Sequence, residues 1–186
     1  MEIKIVSDQS ELEKIKILQE QNLRSALTIA EAAKEGFLTA EYSIEFLKKM
    51  HDATPSIIAM DGDVLAGYAL ATTKEVGIHH DLIKDLFDAI DRIPYESTML
   101  KDRAYIIIGQ LCVAKNYRGM GLVQKMYNAF RDEYARAYEY CLTDVAEDNP
   151  RSLKAHLKSG FQVVDTLRYG GIGWNIVLWD WRSTVV

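Results

Sequence analysis

Three observations in the sequence predict a mixed α/β fold. Apolar residues alternate with polar ones at a period near two in several short runs, and recur at a period near 3.6 in others. The two kinds of run interleave, with strand-like runs on both sides of a β-α-β-α middle. Turn residues such as Asp61-Gly62-Asp63 and the stretch YGGIG punctuate them. That order calls for a mixed sheet with helices on its faces.

Residues 2–6 alternate (EIKIV) and read as a strand. Ser10 with Glu13 forms a capping-box pattern, which predicts a helix start there. Leu12, Ile15, Leu23, Ala26, Leu27 and Ala30 keep near-helical spacing, and Gly36 is the expected stop. A second helix is expected from about residue 39 or 40, with Tyr42, Phe46, Leu47 and Met50 on one side and Pro55 closing the region. Two apolar runs then flank Asp61-Gly62-Asp63, the signature of a β-hairpin. Residues 82–91 form an amphipathic helix pattern with Asp81 as N-cap. The run from 103 or 104 to 113 (AYIIIGQLCV in its apolar part) is strongly strand-like. A glycine-bearing turn leads into a helix over 122–138, and 140–145 read as another strand. Asn149-Pro150 opens a short helix that Gly160 ends. Residues 161–168 and 174–181 are two strands joined by YGGIG.

A chain of 186 residues is about one domain, so 1–186 is expected to fold as a single unit. Its 48% apolar and 26% charged residues are those of an ordinary soluble globular protein. No run approaches the roughly 18 apolar residues of a membrane span, and no apolar stretch follows a basic start, so neither a membrane partner nor a secretory signal is expected. The balance of 22 basic against 27 acidic side chains argues against nucleic-acid binding, which rests on neutralising phosphates. The two cysteines, Cys112 and Cys141, lie in strand-like runs, as reduced thiols of a cytoplasmic chain would. Two cysteines alone make no metal cage, and no metal is expected.

The stretch that carries chemistry is LCVAKNYRGMGLV, residues 111–123. A strand runs out, a turn follows, and a helix begins around Arg118-Gly119-Met120-Gly121. The first amides of a helix lack carbonyl partners, and its dipole favours negative charge there. Strand, glycine turn and helix start together suit a diphosphate, to which Arg118 would add a fixed cation. A tight turn that binds nothing explains the same segment equally well. The nucleotide loop ending in Gly-Lys-Ser/Thr is missing, and so is G-x-G-x-x-G, because Gly119-Met120-Gly121 runs into Leu122-Val123-Gln124.

A second segment begins 28 residues after Gly121: Asn149-Pro150-Arg151-Ser152, then His156, then Ser159-Gly160-Phe161. Together the two resemble the GNAT superfamily of acyl-CoA-dependent N-acetyltransferases. Arg118, Gly121 and, imperfectly, Val123 stand in its Q/R-x-x-G-x-G/A motif; Asn149, Ser152, Gly160 and Phe161 stand in its N-x-x-S/A-x-x-x-Y-x-x-x-G-F motif. The recognisable part runs over about 105–181. The resemblance implies a mostly antiparallel sheet of six or seven strands, helices on both faces, and a central parallel pair that splays. It implies acetyl-CoA as cosubstrate, with Leu111, Cys112 and Val113 on the pantetheine arm. It implies that the amides of Arg118, Gly119, Met120, Gly121, Leu122 and Val123 hold the pyrophosphate, and that Asn149 contacts the arm with Ser152 close by. The expected reaction is direct attack of a primary amine, on a small molecule or a peptide, upon the acetyl carbonyl. The rival is a domain that binds acyl-CoA without turning it over, as a sensor or assembly part; a nucleotide-dependent phosphotransferase ranks last. A homodimer is one of the assemblies left open.

Val123 crowds a position the family gives to Gly or Ala. His156 stands where the family often has a Tyr thought to protonate the departing thiolate, and a histidine can do that work at neutral pH. A histidine packed against the cofactor is the alternative. The strand before Leu111 carries no carboxylate, so the general base is not identified; Glu96, His79 and His80 read better as loop residues. Cys112 as a covalent acyl carrier is less favoured than Cys112 as a buried core thiol. Asp81 as a helix cap explains His79-His80-Asp81 better than a metal site does.

Overall fold

A computed structural model describes residues 1–182. Its main sheet has seven strands in the order β1 (Glu2–Ile5), β2 (Ile57–Asp61), β3 (Val64–Thr72), β6 (Tyr105–Val113), β7 (Tyr140–Ala146), β9 (Ile172–Asp180), β8 (Gln162–Tyr169). A small hairpin, β4 (Pro94–Tyr95) with β5 (Thr98–Met99), stands apart from it. The pairs β1–β2, β2–β3, β7–β9 and β8–β9 are antiparallel, whereas β6 and β7 run parallel with Tyr105 opposite Tyr140 and Ile107 opposite Leu142. The mixed, mostly antiparallel architecture expected from the sequence is the one observed. The chain divides into two compact units, one of residues 1–72 with 108–130, the other of residues 73–107 with 131 onward.

In the first unit, β1, β2 and β3 form a meander whose β2–β3 turn is Gly62 at φ 57°. Helix α1 (Gln9–Asn22) buries Leu12, Ile15 and Leu18, and α3 (Ile44–Ala53) buries Phe46, Leu47 and Met50. The cap of α1 is Asp8, whose carboxylate accepts from the Glu11 amide. Ser10, expected as the cap, lies inside the helix and donates to Asp8 instead. The helical run expected to reach Gly36 is interrupted. Leu23 and Leu27 take extended backbone around a 3-10 turn at Arg24–Ala26, and α2 (Ile29–Glu35) starts afresh on a Thr28–Glu31 capping box. Gly36 does end that helix. The first part of α6 (Leu122–Tyr134) adds Leu122, Met126, Tyr127 and Phe130 to this core. Gly67 of β3 is required where it stands: a Cβ there would lie 2.8 Å from the Cys112 carbonyl oxygen and 3.1 Å from Met126 Cε.

In the second unit, β9 lies between β7 and β8, pairing Cys141 with Trp179 on one side and Leu167 with Trp174 on the other. A short helix, α4 (Lys74–Gly77), precedes α5 (Asp81–Ile90), whose Ile83, Leu86, Phe87 and Ile90 are buried. Asp81 is the first residue of α5, one past the N-cap position. Helix α7 (Pro150–Lys158) has Asn149 as N-cap and Pro150 in its first turn, as expected. Trp174 and Trp181 are core residues. No helix among the described residues is long and apolar enough to cross a membrane.

Candidate active site

In the first unit the strand β6 alternates. Gln110 and Cys112 are buried, while Gly109, Leu111 and Val113 are half-buried. Beyond Val113 the chain makes a 3-10 turn at Lys115–Tyr117 and then reaches Gly119 and Gly121, at φ 80° and 73°. These are left-handed conformations that L side chains adopt only at a cost of roughly 1–2 kcal/mol. Neither glycine would bring a Cβ within 4 Å of another atom, so the turn is open to solvent. Helix α6 follows, 13 residues long.

The amide of Arg118 donates to Lys115, and that of Lys125 to Gly121. Among the described residues, the amides at positions 119–124 make no close backbone hydrogen bond. Six consecutive N–H groups at an open helix start are available to an anion with several oxygens. The run begins one residue later than the resemblance implied. Arg118, expected as a fixed cation beside the turn, also makes bonds of its own. Its Nε donates to the Val113 carbonyl at 3.1 Å and one terminal nitrogen donates to Asn22 Oδ1 at 2.7 Å, so it braces the turn against the end of α1. The Val113 carbonyl, expected on the pantetheine arm, thus already has an internal donor. Met120 is exposed, and Val123 is half-buried.

The same unit holds a buried polar network beneath β6. Gln110 Oε1 accepts from Gln19 Nε2 at 2.9 Å and from the Tyr68 hydroxyl at 2.7 Å, and its Nε2 donates to the Ala40 carbonyl at 2.8 Å. Gln19 Oε1 accepts the Tyr42 amide, and the Tyr42 hydroxyl donates to the Gly109 carbonyl, both at 2.9 Å. Burial pushes the Cys112 thiol up to about 12, so it is no nucleophile at neutral pH.

In the second unit, Asn149 Oδ1 accepts the Ser152 amide at 3.3 Å, the capping role its position at the start of α7 dictates. His156 is buried. Its Nδ1 lies 2.8 Å from the Ser152 carbonyl and therefore carries the proton, and its ring meets Phe161 edge-on at 5.3 Å. Burial pulls its pKa down to about 4. A neutral imidazole does not suit the acid role expected of it, because at pH 7 it has no extra proton to give.

Asp144 of β7 is the titratable group that sequence reasoning missed. It is partly open by surface area, yet its carboxyl is deep enough that burial pushes it up to about 7. The signal was available: one carboxylate in the otherwise apolar or neutral strand YCLTDVA. Glu96, at φ 53°, accepts two bonds from Arg182 at 2.8 Å, which hold its carboxyl below the usual range. Among the described residues no group of His, Cys, Asp and Glu is arranged to hold a metal ion.

The family model described as "Acetyltransferase (GNAT) family" matches residues 23–161. The chain belongs to the GNAT acetyltransferase family. It is accordingly an acyltransferase. Among solved structures, a chain of the NatC complex bound to Gag peptide and CoA shares this GNAT fold at TM-score 0.66 and 17% identity, over 97% of this chain and 99% of that one. A ribosomal-protein-alanine N-acetyltransferase from Brucella melitensis gives 0.62 and 15%, with the same coverage. A putative acetyltransferase from Salmonella typhimurium with its cofactor acetyl-CoA gives 0.60 and 13%, over 96% and 93%. No curated protein is similar enough in sequence to count as a relative.

Proposed function

We propose that this GNAT protein moves an acetyl group from acetyl-CoA to a primary amine by direct attack. The observation that carries the reading is the run of six amides without a close backbone hydrogen bond at positions 119–124, at an open glycine turn ahead of a long helix. It fits the diphosphate of coenzyme A, since main-chain donors need no particular side chain and the helix dipole adds to their pull. Bound acetyl-CoA supplies an acetyl group already activated as a thioester. Leu111, Cys112 and Val113 are the proposed strand for its pantetheine arm, and Asn149 and Ser152 further contacts to that arm.

An alkyl ammonium must lose a proton before it can attack. A water chain is the proposed acceptor of that proton. His156 stays neutral, and water protonates the departing thiolate. One compared structure is a complex bound to a peptide and CoA and another is a ribosomal-protein-alanine N-acetyltransferase, so a peptide amine is the first acceptor class to try, ahead of small amines. Calorimetry with coenzyme A, followed by thiol release from acetyl-CoA with a panel of peptides, polyamines and amino acids, tests the reading. Heat of binding and amine-dependent thiol release are expected. The absence of both overturns it.

A further inference from the structure

We propose that Gln110 is a positioning residue for acetyl transfer: its carboxamide, with Gln19, Tyr42 and Tyr68, pins β6 to the chain at Ala40–Tyr42 and so fixes the strand on which the thioester is aligned. The inference rests on the proposed function and adds to it residues that touch neither cofactor nor amine.

The argument begins with bond counts. Gln110 is 7% exposed and Gln19 and Tyr68 are fully buried, so each polar atom there needs a partner. Both ends of the Gln110 carboxamide are used: the oxygen takes two donors and the nitrogen serves a backbone carbonyl. Gln19 is likewise used at both ends, its nitrogen on Gln110 and its oxygen on the Tyr42 amide. The Tyr42 hydroxyl then closes the circuit on the carbonyl of Gly109, the residue before Gln110. Four side chains therefore tie two backbone points, Ala40 and Tyr42, to two adjacent residues of β6. The Cys112 thiol meets Tyr68 in the same cluster.

Such a network is costly to keep half-made, and fully made it specifies one arrangement. An apolar core would have packed the same helix and strand without fixing their offset, because hydrophobic contact is non-directional. The buried faces of Gln110 and Cys112 alternate with Leu111 and Val113, the half-buried residues proposed for the pantetheine arm. Movement of the strand by a fraction of an ångström would displace the acyl carbon while leaving the diphosphate contacts at 119–124 in place. Misplacement by about 1 Å can cost about 100-fold in rate.

The test separates turnover from cofactor binding. Gln110→Met keeps the side-chain length and removes the carboxamide; Tyr42→Phe removes one hydroxyl and is the variant that folds if Met does not. Wild type and both variants are titrated with coenzyme A and assayed for thiol release with an amine that wild type acetylates. The expected result is a fall in kcat of about 10- to 100-fold for Gln110→Met, a smaller fall for Tyr42→Phe, and a coenzyme A Kd within threefold of wild type for both. Gln110→Glu adds a pH signature: its protonated acid can still donate to Ala40, so its activity relative to wild type should rise as pH falls. Unchanged kcat in both variants overturns the proposal, as does a loss of coenzyme A affinity in proportion to kcat. Wild type that binds coenzyme A but acetylates no amine leaves amide exchange to decide: protection lost at Tyr42 and 111–113 in Gln110→Met supports the tether, and unchanged protection overturns it. Wild type that binds no coenzyme A at all overturns the proposed function itself, a result visible without any variant.

Discussion

Substitution of Gly121 separates the electrostatics of the glycine turn from its backbone strain. Gly121 sits at φ 73° with open space where a Cβ would go. Alanine and glutamate there meet the same strain, roughly 1–2 kcal/mol, and neither meets a clash at Cβ. For a chain of this size that strain lowers Tm by about 2–8 °C in both variants. Only glutamate adds charge. A carboxylate about 6 Å from a bound phosphate, at an effective dielectric between about 20 and 80, repels it by about 0.7–3 kcal/mol per charge pair. Calorimetry should therefore find coenzyme A bound about 10- to 100-fold more weakly by Gly121→Glu than by Gly121→Ala. The gap should narrow in 1 M salt, where the screening length falls to about 3 Å. Equal affinities for the two variants, or a gap indifferent to salt, would refute the view that the amides of this turn hold an anion.

Three further outcomes follow from the titratable groups. Burial raises the carboxyl of Asp144 to about 7 in the folded chain. Folded-state protonation of Asp144 also means that its contribution to stability is full below about pH 4 and is lost as pH rises through 7, a loss absent from melts of Asp144→Asn. His156, held down to about 4, resists the proton that the unfolded chain accepts near 6.5; stability should fall between pH 6.5 and 4 in wild type and fall less in His156→Phe. Cys112, with its thiol up at about 12, should resist iodoacetamide in the folded protein and carry no acetyl adduct by mass spectrometry.

The elements that were legible in the sequence are those whose signals are local. The hairpin turned by Asp61-Gly62-Asp63, the Asn149-Pro150 helix start and the strand ahead of the glycine turn all appear where pattern and cap residues put them. The break between α1 and α2 was hidden because Leu23, Ala26 and Leu27 keep helical spacing, while the backbone there follows other bonds. Leu38 accepts the Arg24 amide, and Leu23 bridges to Leu38 in parallel. Small elements such as β4, β5 and α4 were missed, being too short for periodicity to register. At the site, the strand, the glycines and the helix start were visible, but the side-chain assignments were not. Arg118 reads only as a fixed cation until Asn22, 96 positions away, is found to accept from it. Asp144 reads as one acidic residue among 27 until burial changes its affinity for a proton.

The inward turn of Arg118 makes the final residue of α1 an outlying part of the glycine turn. Asn22 bonds backward to the Leu18 carbonyl through its nitrogen and forward to Arg118 through its oxygen, and Arg118 in turn grips Val113. A lesion at the tail of that first helix would thus be transmitted to a bend almost a hundred residues downstream. A mutational survey that scored only ligand-facing positions would overlook it.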